Sequence, residues 1–281
     1  MKYLISGRNG QLARAFINTF ERKSIDFITP DESKLYITKE AVVAEVVAGY
    51  KPDVIINCAA YNLVDQAEQD HERAFMVNAL GPKYLALAAS KQNAVLVHFG
   101  SDYVFDGKKE NELYSEEDQV SPLNQYGKSK LSGEEKVREH CSEFLIFRLS
   151  WVYGEGKQNF IYKLTDLAKT QEYLKAASDE FSVPTCANVV VDMTLHSLEA
   201  GIRGLWHLTN SGFCSRYEWV TVIAKSLGLK KFVRPVSMDH FHLPARRPKF
   251  SAIANVRLSR ELNVNIPSWE ASVESFLREG M

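Results

Sequence analysis

The stretch "KYLISGRNGQLARAF", Lys2 to Phe16, decides the fold. "KYLIS" is a short continuous apolar run that breaks at Gly7, and from Gln11 the apolar residues return at helical spacing as Leu12, Phe16, Ile17 and Phe20. The pattern is strand, glycine turn, helix. Gly7, Gly10 and the small Ala13 form a G-x-x-G-x-x-A variant of the dinucleotide fingerprint. The glycines permit a tight turn and close backbone approach, and the helix N-terminus offers amides to a pyrophosphate. A glycine turn without a ligand is the competing reading, and placement directly after a strand argues against it.

The same alternation continues outward. "DFIT" reads as a second strand, Lys39–Gly49 as a helix, and Asp53–Ala60 as a third strand. A long helical region centred on "AFMVNALGPKYLALAAS" follows, with Pro82 marking a break or a first turn. Ala94–Ser101 is the fourth strand and Glu143–Ser150 the fifth, with a helix from the Leu123 region between them. Continuous apolar strands between amphipathic helices describe a parallel sheet covered on both faces, a doubly wound, Rossmann-like α/β domain over residues 1–150. Beyond Trp151 the order loosens. Residues 151–281 are expected to form a smaller substrate-binding lobe that includes the strand-like "LWHLT", while about 186–203, "ANVVVDMTLHSLEAG", returns to the sheet domain.

The 281 residues are 45% hydrophobic and 25% charged, with a formal net charge of -1, which is ordinary for a globular protein. That balance supplies no basic field for nucleic acid or anionic lipid. No apolar run reaches about 18 residues. Cys58, Cys141, Cys186 and Cys214 are widely separated, with no C-x-x-C pair or His at ligand spacing, and read as reduced thiols of a cytoplasmic protein. No metal ligand is assigned.

"LNQYGKSKLSGE", Leu123 to Glu134, carries the candidate chemistry. Asn124 reads as an N-cap, and Tyr126 and Lys130 lie four apart on one helix face, with Cβ atoms about 6 Å apart. An ammonium beside a phenol lowers its pKa and suits it to proton transfer. One such pair arises readily by chance. Its company changes the reading: Ser101 and Asp102 end the fourth strand, where a doubly wound sheet binds ligands. Ser101 would donate to a substrate carbonyl oxygen, Tyr126 would protonate it as hydride arrives, and Lys130 would hold the ribose. At the fingerprint, Arg8 suits a 2′-phosphate whereas Asp31 suits a ribose 2′-hydroxyl. The two oppose each other, and the balance leans to NADPH over NADH.

At this point the sequence resembles the extended short-chain dehydrogenase/reductases, and within them the dTDP-4-dehydrorhamnose reductase family. The resemblance rests on "GRNGQLA", "PDVIINCAAYNLVDQAE", "VNALGP", "SDYVFDG", "YGKSKLSGE", "RLSWVYG" and "ARRPKFS", in family order. It implies an oxidoreductase that reduces a nucleotide-linked 4-keto sugar with NADPH or NADH in dTDP-rhamnose and polysaccharide biosynthesis, with Ser101, Tyr126 and Lys130 as the catalytic trio. It implies that Gly7, Arg8, Asn9, Gly10, Gln11, Leu12, Asp31, Asn57, Cys58, Ala59, Ala60, Tyr61 and Asn78 line the cofactor cleft. Val64, Asp65, Asp102, Tyr103 and Trp151 would lie near the sugar, with Arg247 on the substrate diphosphate. Departures from the family pattern include Tyr36 where aspartate is usual, the lack of the usual glycine before Pro184 in "DEFSVPT", and Arg216 where tryptophan is frequent. Some relatives pair through a divalent ion; a homodimer and a bridging metal stay open here. A related epimerase or dehydratase with permanently held NAD, or a non-catalytic cofactor-binding regulatory subunit, is the alternative.

Overall fold

The structure, a computed structural model, describes residues 1–110 and 112–279, so the last two residues of the expected lobe lie outside it. Along the first half the chain forms β1 (Tyr3–Ser6), α1 (Gln11–Arg22), β2 (Phe27–Ile28), α2 (Glu40–Tyr50), β3 (Val54–Asn57), α3 (His71–Phe75), α4 (Gly81–Gln92), β4 (Val95–Ser101), α5 (Gln125–His140) and β5 (Phe144–Leu149). The second half forms β6 (Val152–Tyr153), α6 (Phe160–Thr170), β7 (Leu174–Ala177), β8 (Phe181–Ser182), β9 (Thr185–Cys186), α7 (Ala187–Glu199), β10 (Gly204–His207), β11 (Cys214–Ser215), α8 (Arg216–Ser226), β12 (Val233–Val236), α9 (Val256–Glu261) and α10 (Trp269–Glu279).

The main sheet runs β10-β5-β4-β3-β1-β2, all parallel. Alternation along each strand divides its side chains between two cores. Ile5, Ile56, Val97 and Phe147 meet α1 and α7 on one face through Phe16, Phe20, Val190 and Val191. Leu4, Ile55, Leu96 and Ile146 meet α2, α4 and α5 on the other through Val43, Val47, Leu85 and Val137. A third core, around Tyr153, Ile161, Trp219, Ile223 and Phe276, gathers α6, α8 and α10. Three short strand pairs, β6 with β9, β7 with β12 and β8 with β11, carry the chain between them.

Two elements differ from the sequence reading. "LWHLT" belongs to the main sheet as its sixth strand, paired with β5 from Gly204 to His207; the α7 crossover places it there, a long-range outcome that a local pattern does not carry. β3 stops at Asn57, because Cys58–Ala60 leave the sheet to pass over Gly7. Of the two readings of Pro82, a break or a first turn, the structure shows the second: α3 and α4 are joined through a π-helical turn, Met76–Leu80, and Pro82 lies in the first turn where the α-helix resumes.

Candidate active site

The β1–α1 turn is shaped by steric exclusion. Gly7 has φ +73°, and a Cβ there would sit 2.6 Å from the Ala59 amide nitrogen. Only glycine satisfies both constraints. The helix that follows starts at Gly10 with no side-chain cap and no acid in its first turn, so its positive end is uncompensated. Asn57 fixes the opposite wall, its Oδ1 accepting from Ser6 Oγ at 2.7 Å and from the Ala59 amide at 3.2 Å. Asn78, in the π-helical turn, accepts from the Tyr61 amide at 2.8 Å and donates to the Tyr61 carbonyl and to Ser129 Oγ, both at 3.0 Å. It is 1% exposed and holds the wall in place from behind. Cys58, Ala59 and Ala60 are half-buried along that wall, and Tyr61 is buried.

Arg8 and Asp31 meet each other at 2.8 Å on the surface, so the two opposed selectors form one ion pair. Gln11 donates to the Val152 carbonyl at 2.8 Å, tying α1 to the second half. Asn9 is exposed, and Leu12 packs on the sheet core.

α5 begins as expected. The Asn124 side chain accepts from the Gly127 amide at 2.8 Å and donates to the Arg246 carbonyl at 2.8 Å, and Glu68 accepts from the Gln125 amide at 2.8 Å. Gly133 admits the helix to close packing, since a Cβ there would meet the Asn78 carbonyl oxygen at 2.1 Å. Glu134, one turn past Lys130, takes a bidentate fork from buried Arg148, with Nη2 at 2.8 Å, and draws α5 onto β5.

Ser101 ends β4, and its hydroxyl lies close enough to the Tyr126 phenol to act on its acidity. The Tyr103 ring stands edge-on to Tyr126, with centroids 5.8 Å apart. Burial pushes the Tyr126 phenol up to about 12; the Ser101 hydroxyl works against that shift and the Asp102 charge adds to it. The lowering by Lys130 expected from spacing is absent. Lys130 donates to the Phe99 carbonyl at 2.6 Å, and burial pulls its ammonium down to about 8 against the pull of Glu134. Beneath them, buried His98 accepts from Asn57 at 3.1 Å and is held neutral by burial and by the Lys130 charge. Its role here is packing and orientation of Asn57.

At the sugar end, Arg247 forks onto Asp65 with contacts of 2.9 and 2.7 Å, and the Ala245 amide adds a bond of 3.1 Å to the same carboxylate. Val64 is half-buried beside Asp65. Arg246, Arg247, Lys249 and Lys108 line a cavity of about 660 Å³. Trp151 follows β5 with φ +35°, a left-handed backbone rare for a bulky residue. Arg216 stacks on its indole at 3.5 Å and pairs with Glu180 at 3.3 Å. Asp102 is turned inward, 3% exposed, among serine hydroxyls.

The sequence reading missed Glu68, Glu180, Ser150, Ser182 as a hydrogen-bonding group, and Ser251. Serines scattered over 150 residues carry no local signal; only the fold assembles them.

The model of one family, RmlD substrate binding domain, matches residues 1–281. The chain belongs to the RmlD substrate binding domain family. Its relatives include the spore coat polysaccharide biosynthesis protein SpsK of Bacillus subtilis, 32% identical over 99% of this chain and 97% of that protein, and the dTDP-4-dehydrorhamnose reductase of Escherichia coli K12, 33% identical over 99% and 98%. The crystal structure of the Bacillus anthracis dTDP-4-dehydrorhamnose reductase in complex with NADP superimposes with a TM-score of 0.95 at 34% identity, covering 99% of both chains. Among the described residues of this RmlD-family member, no helix is long and apolar enough to cross a membrane.

Proposed function

We propose that this chain is a cytoplasmic NADPH- or NADH-dependent reductase of the 4-keto group of a nucleotide-linked 6-deoxy sugar, converting dTDP-4-dehydro-L-rhamnose to dTDP-L-rhamnose. The observation that carries this reading is the gathering of Ser101, at the carboxyl end of β4, with Tyr126 and Lys130 of α5: Tyr126 packs edge-on against Tyr103, two residues past Ser101, and Lys130 donates to the Phe99 carbonyl, two residues before it, at the end of the sheet where the Gly7 turn opens. Full-length relatives bearing the reductase name support it.

The site fits a dinucleotide. The Gly7 turn is a cradle that a Cβ would fill, and the uncapped start of α1 suits a pyrophosphate. Gly7, Gly10 and Ala59 would hold the pyrophosphate side, Arg8 and Asp31 the adenosine ribose, and Lys130 the nicotinamide ribose. Bound there, the reduced nicotinamide supplies hydride to the C4 carbon. Tyr126 is protonated at neutral pH, and burial pushes its pKa further up, so it stands ready to deliver a proton to the carbonyl oxygen as charge builds there. Ser101 donates a second hydrogen bond to that oxygen. Val64, Tyr103 and Trp151 would border the sugar. Arg247, with Arg246 and Lys249 beside it, would take the diphosphate, exchanging its fork on Asp65 for one on phosphate. Residues 1–150 together with α7 and β10 carry the dinucleotide in this reading, and the remainder carries the sugar nucleotide.

NADPH and NADH oxidation followed against a panel of nucleotide 4-keto sugars tests it. Turnover of dTDP-4-dehydro-L-rhamnose is expected. Tightly co-purified NAD with no net oxidation would mark an epimerase or dehydratase instead, and cofactor binding without turnover of any sugar would mark a regulatory subunit.

A further inference from the structure

We infer that Asp102 is a positioning residue for this reduction: its buried carboxylate aims the Ser101 hydroxyl and seats the sugar-binding segments on the end of β4. The inference rests on the reductase reading above and deepens it.

Four serine hydroxyls converge on one carboxylate. Ser101 donates to Oδ1 at 3.2 Å, whereas Ser150, Ser182 and Ser251 donate to Oδ2 at 3.1, 2.7 and 2.5 Å. Every one of these groups is buried, with Ser182 at 0% and Ser251 at 2% exposure. A carboxylate accepts through both oxygens, and here three donors crowd Oδ2 while Ser101 alone holds Oδ1. The four serines come from three places. Ser101 ends β4, Ser150 follows β5, and Ser182 and Ser251 lie on neighbouring segments joined by the Phe181–Lys249 and Ser251–Phe181 backbone bonds of 2.7 and 2.9 Å. Arg247 stands four residues before Ser251 on that same segment.

The distances assign different jobs. The Ser101 bond is the longest of the four, and the Tyr103 amide occupies one of its oxygen lone pairs at 3.2 Å. Held by that amide on one side and by Asp102 on the other, the hydroxyl keeps its oxygen towards Tyr126. When a carbonyl oxygen arrives, the Ser101 proton can leave Oδ1 for it, while Oδ2 stays held by the three shorter bonds. No proton is gained or lost in that exchange. On the other side, Ser150 also accepts from the Val183 amide at 3.2 Å and directly precedes Trp151, whose left-handed backbone needs support from its surroundings. One buried group therefore holds the proton-donor side, the Trp151 turn and the Arg247 segment in register.

The test uses the full chain and requires wild-type turnover first; if the wild type does not reduce the sugar nucleotide, the reductase reading fails and not this one. Asp102→Asn keeps the shape but replaces an acceptor by a donor. With NADPH affinity within about twofold of wild type, it is expected to lower single-turnover reduction on the order of 10–100-fold, the scale of a misplaced reacting group, and to increase the isotope effect from deuterated NADPH. A merely structural role would lower the folded fraction and leave the rate and isotope effect per folded site unchanged. Should Asp102→Asn fail to fold, the Ser182→Ala/Ser251→Ala double variant decides. It is expected to raise the KM for the sugar nucleotide about fivefold or more, with NADPH affinity unchanged. A folded Asp102→Asn within threefold of the wild-type rate, or a double variant with wild-type KM and kcat, would overturn the inference.

Discussion

The two ends of the cleft are built differently. At the dinucleotide end, the groups that shape the cradle come from short neighbouring units: Gly7 and Gly10 in one turn, Asp31 after the next strand, and Asn57 to Tyr61 after the third. At the sugar end, single carboxylates reach across the chain, Asp102 to serines 48, 80 and 149 positions away and Asp65 to Arg247 182 positions away. The first end is made by backbone conformation, which a few residues specify. The second is made by buried charge, which the folded chain has to assemble and which costs free energy if any partner is missing. The cofactor end should therefore tolerate changes that the sugar end does not, and α5, which touches both, is where the difference can be measured.

Tyr126→Phe separates them most sharply. It keeps the ring and removes the hydroxyl proposed to deliver the proton, so kcat should fall on the order of 10²–10⁴-fold. NADPH affinity and melting temperature should hardly move, as calorimetry and thermal unfolding would show. A folded, cofactor-bound variant within about threefold of wild type would leave Tyr126 without a catalytic role.

Lys130 gives a smaller, pH-dependent effect. Its ammonium is charged below about 8 and loses its proton as pH rises through that value. The kcat/KM for NADPH, which reports the free enzyme, should therefore fall on the alkaline side of about pH 8. The same shift links to stability. Because the folded-state pKa lies below the unfolded value, the cost of burying the charge is fully present below about 8 and disappears as pH rises toward 10.5. Lys130→Met should remove the alkaline limb and, in denaturant melts at neutral pH, should lose none of the stability that a surface lysine would be expected to contribute. An unchanged pH profile in that variant would assign the limb to another group.

Arg8→Ala is the smallest change and confines itself to the cofactor end. Its pair with Asp31 is exposed and worth at most about 1 kcal/mol, so the fold should not notice its loss. NADPH should weaken several-fold relative to NADH, about 1 kcal/mol being a factor near five, while the KM for the sugar nucleotide stays put. An equal effect on both cofactors would show that Arg8 does not choose between them.

The first 150 residues were readable because their information is local. A continuous apolar strand, a glycine turn and an amphipathic helix each declare themselves within about ten residues, and repetition gives the parallel sheet. Ser101, Tyr126 and Lys130 were readable as residue types at strand end and helix spacing. Their electrostatics were not, since the spacing pointed to a phenol lowered by an ammonium and the fold turns that ammonium to the Phe99 carbonyl. The sixth strand reads as part of the smaller lobe for the same reason: "LWHLT" says strand, and only the path of α7 says beside which neighbour.

The amino-acid sequence by itself determined the doubly wound fold, the Gly7 cradle and the order of the candidate residues, because backbone geometry and hydrophobic period are properties of adjacent residues. Tertiary structure alone decided that Arg8 pairs with Asp31, that Arg247 forks onto Asp65, and that Asp102 faces inward to four serines. Pairing and burial of polar groups depend on which distant segments arrive together, and the low-dielectric interior makes those meetings set both the pKa of Tyr126 and the direction of the Ser101 hydroxyl.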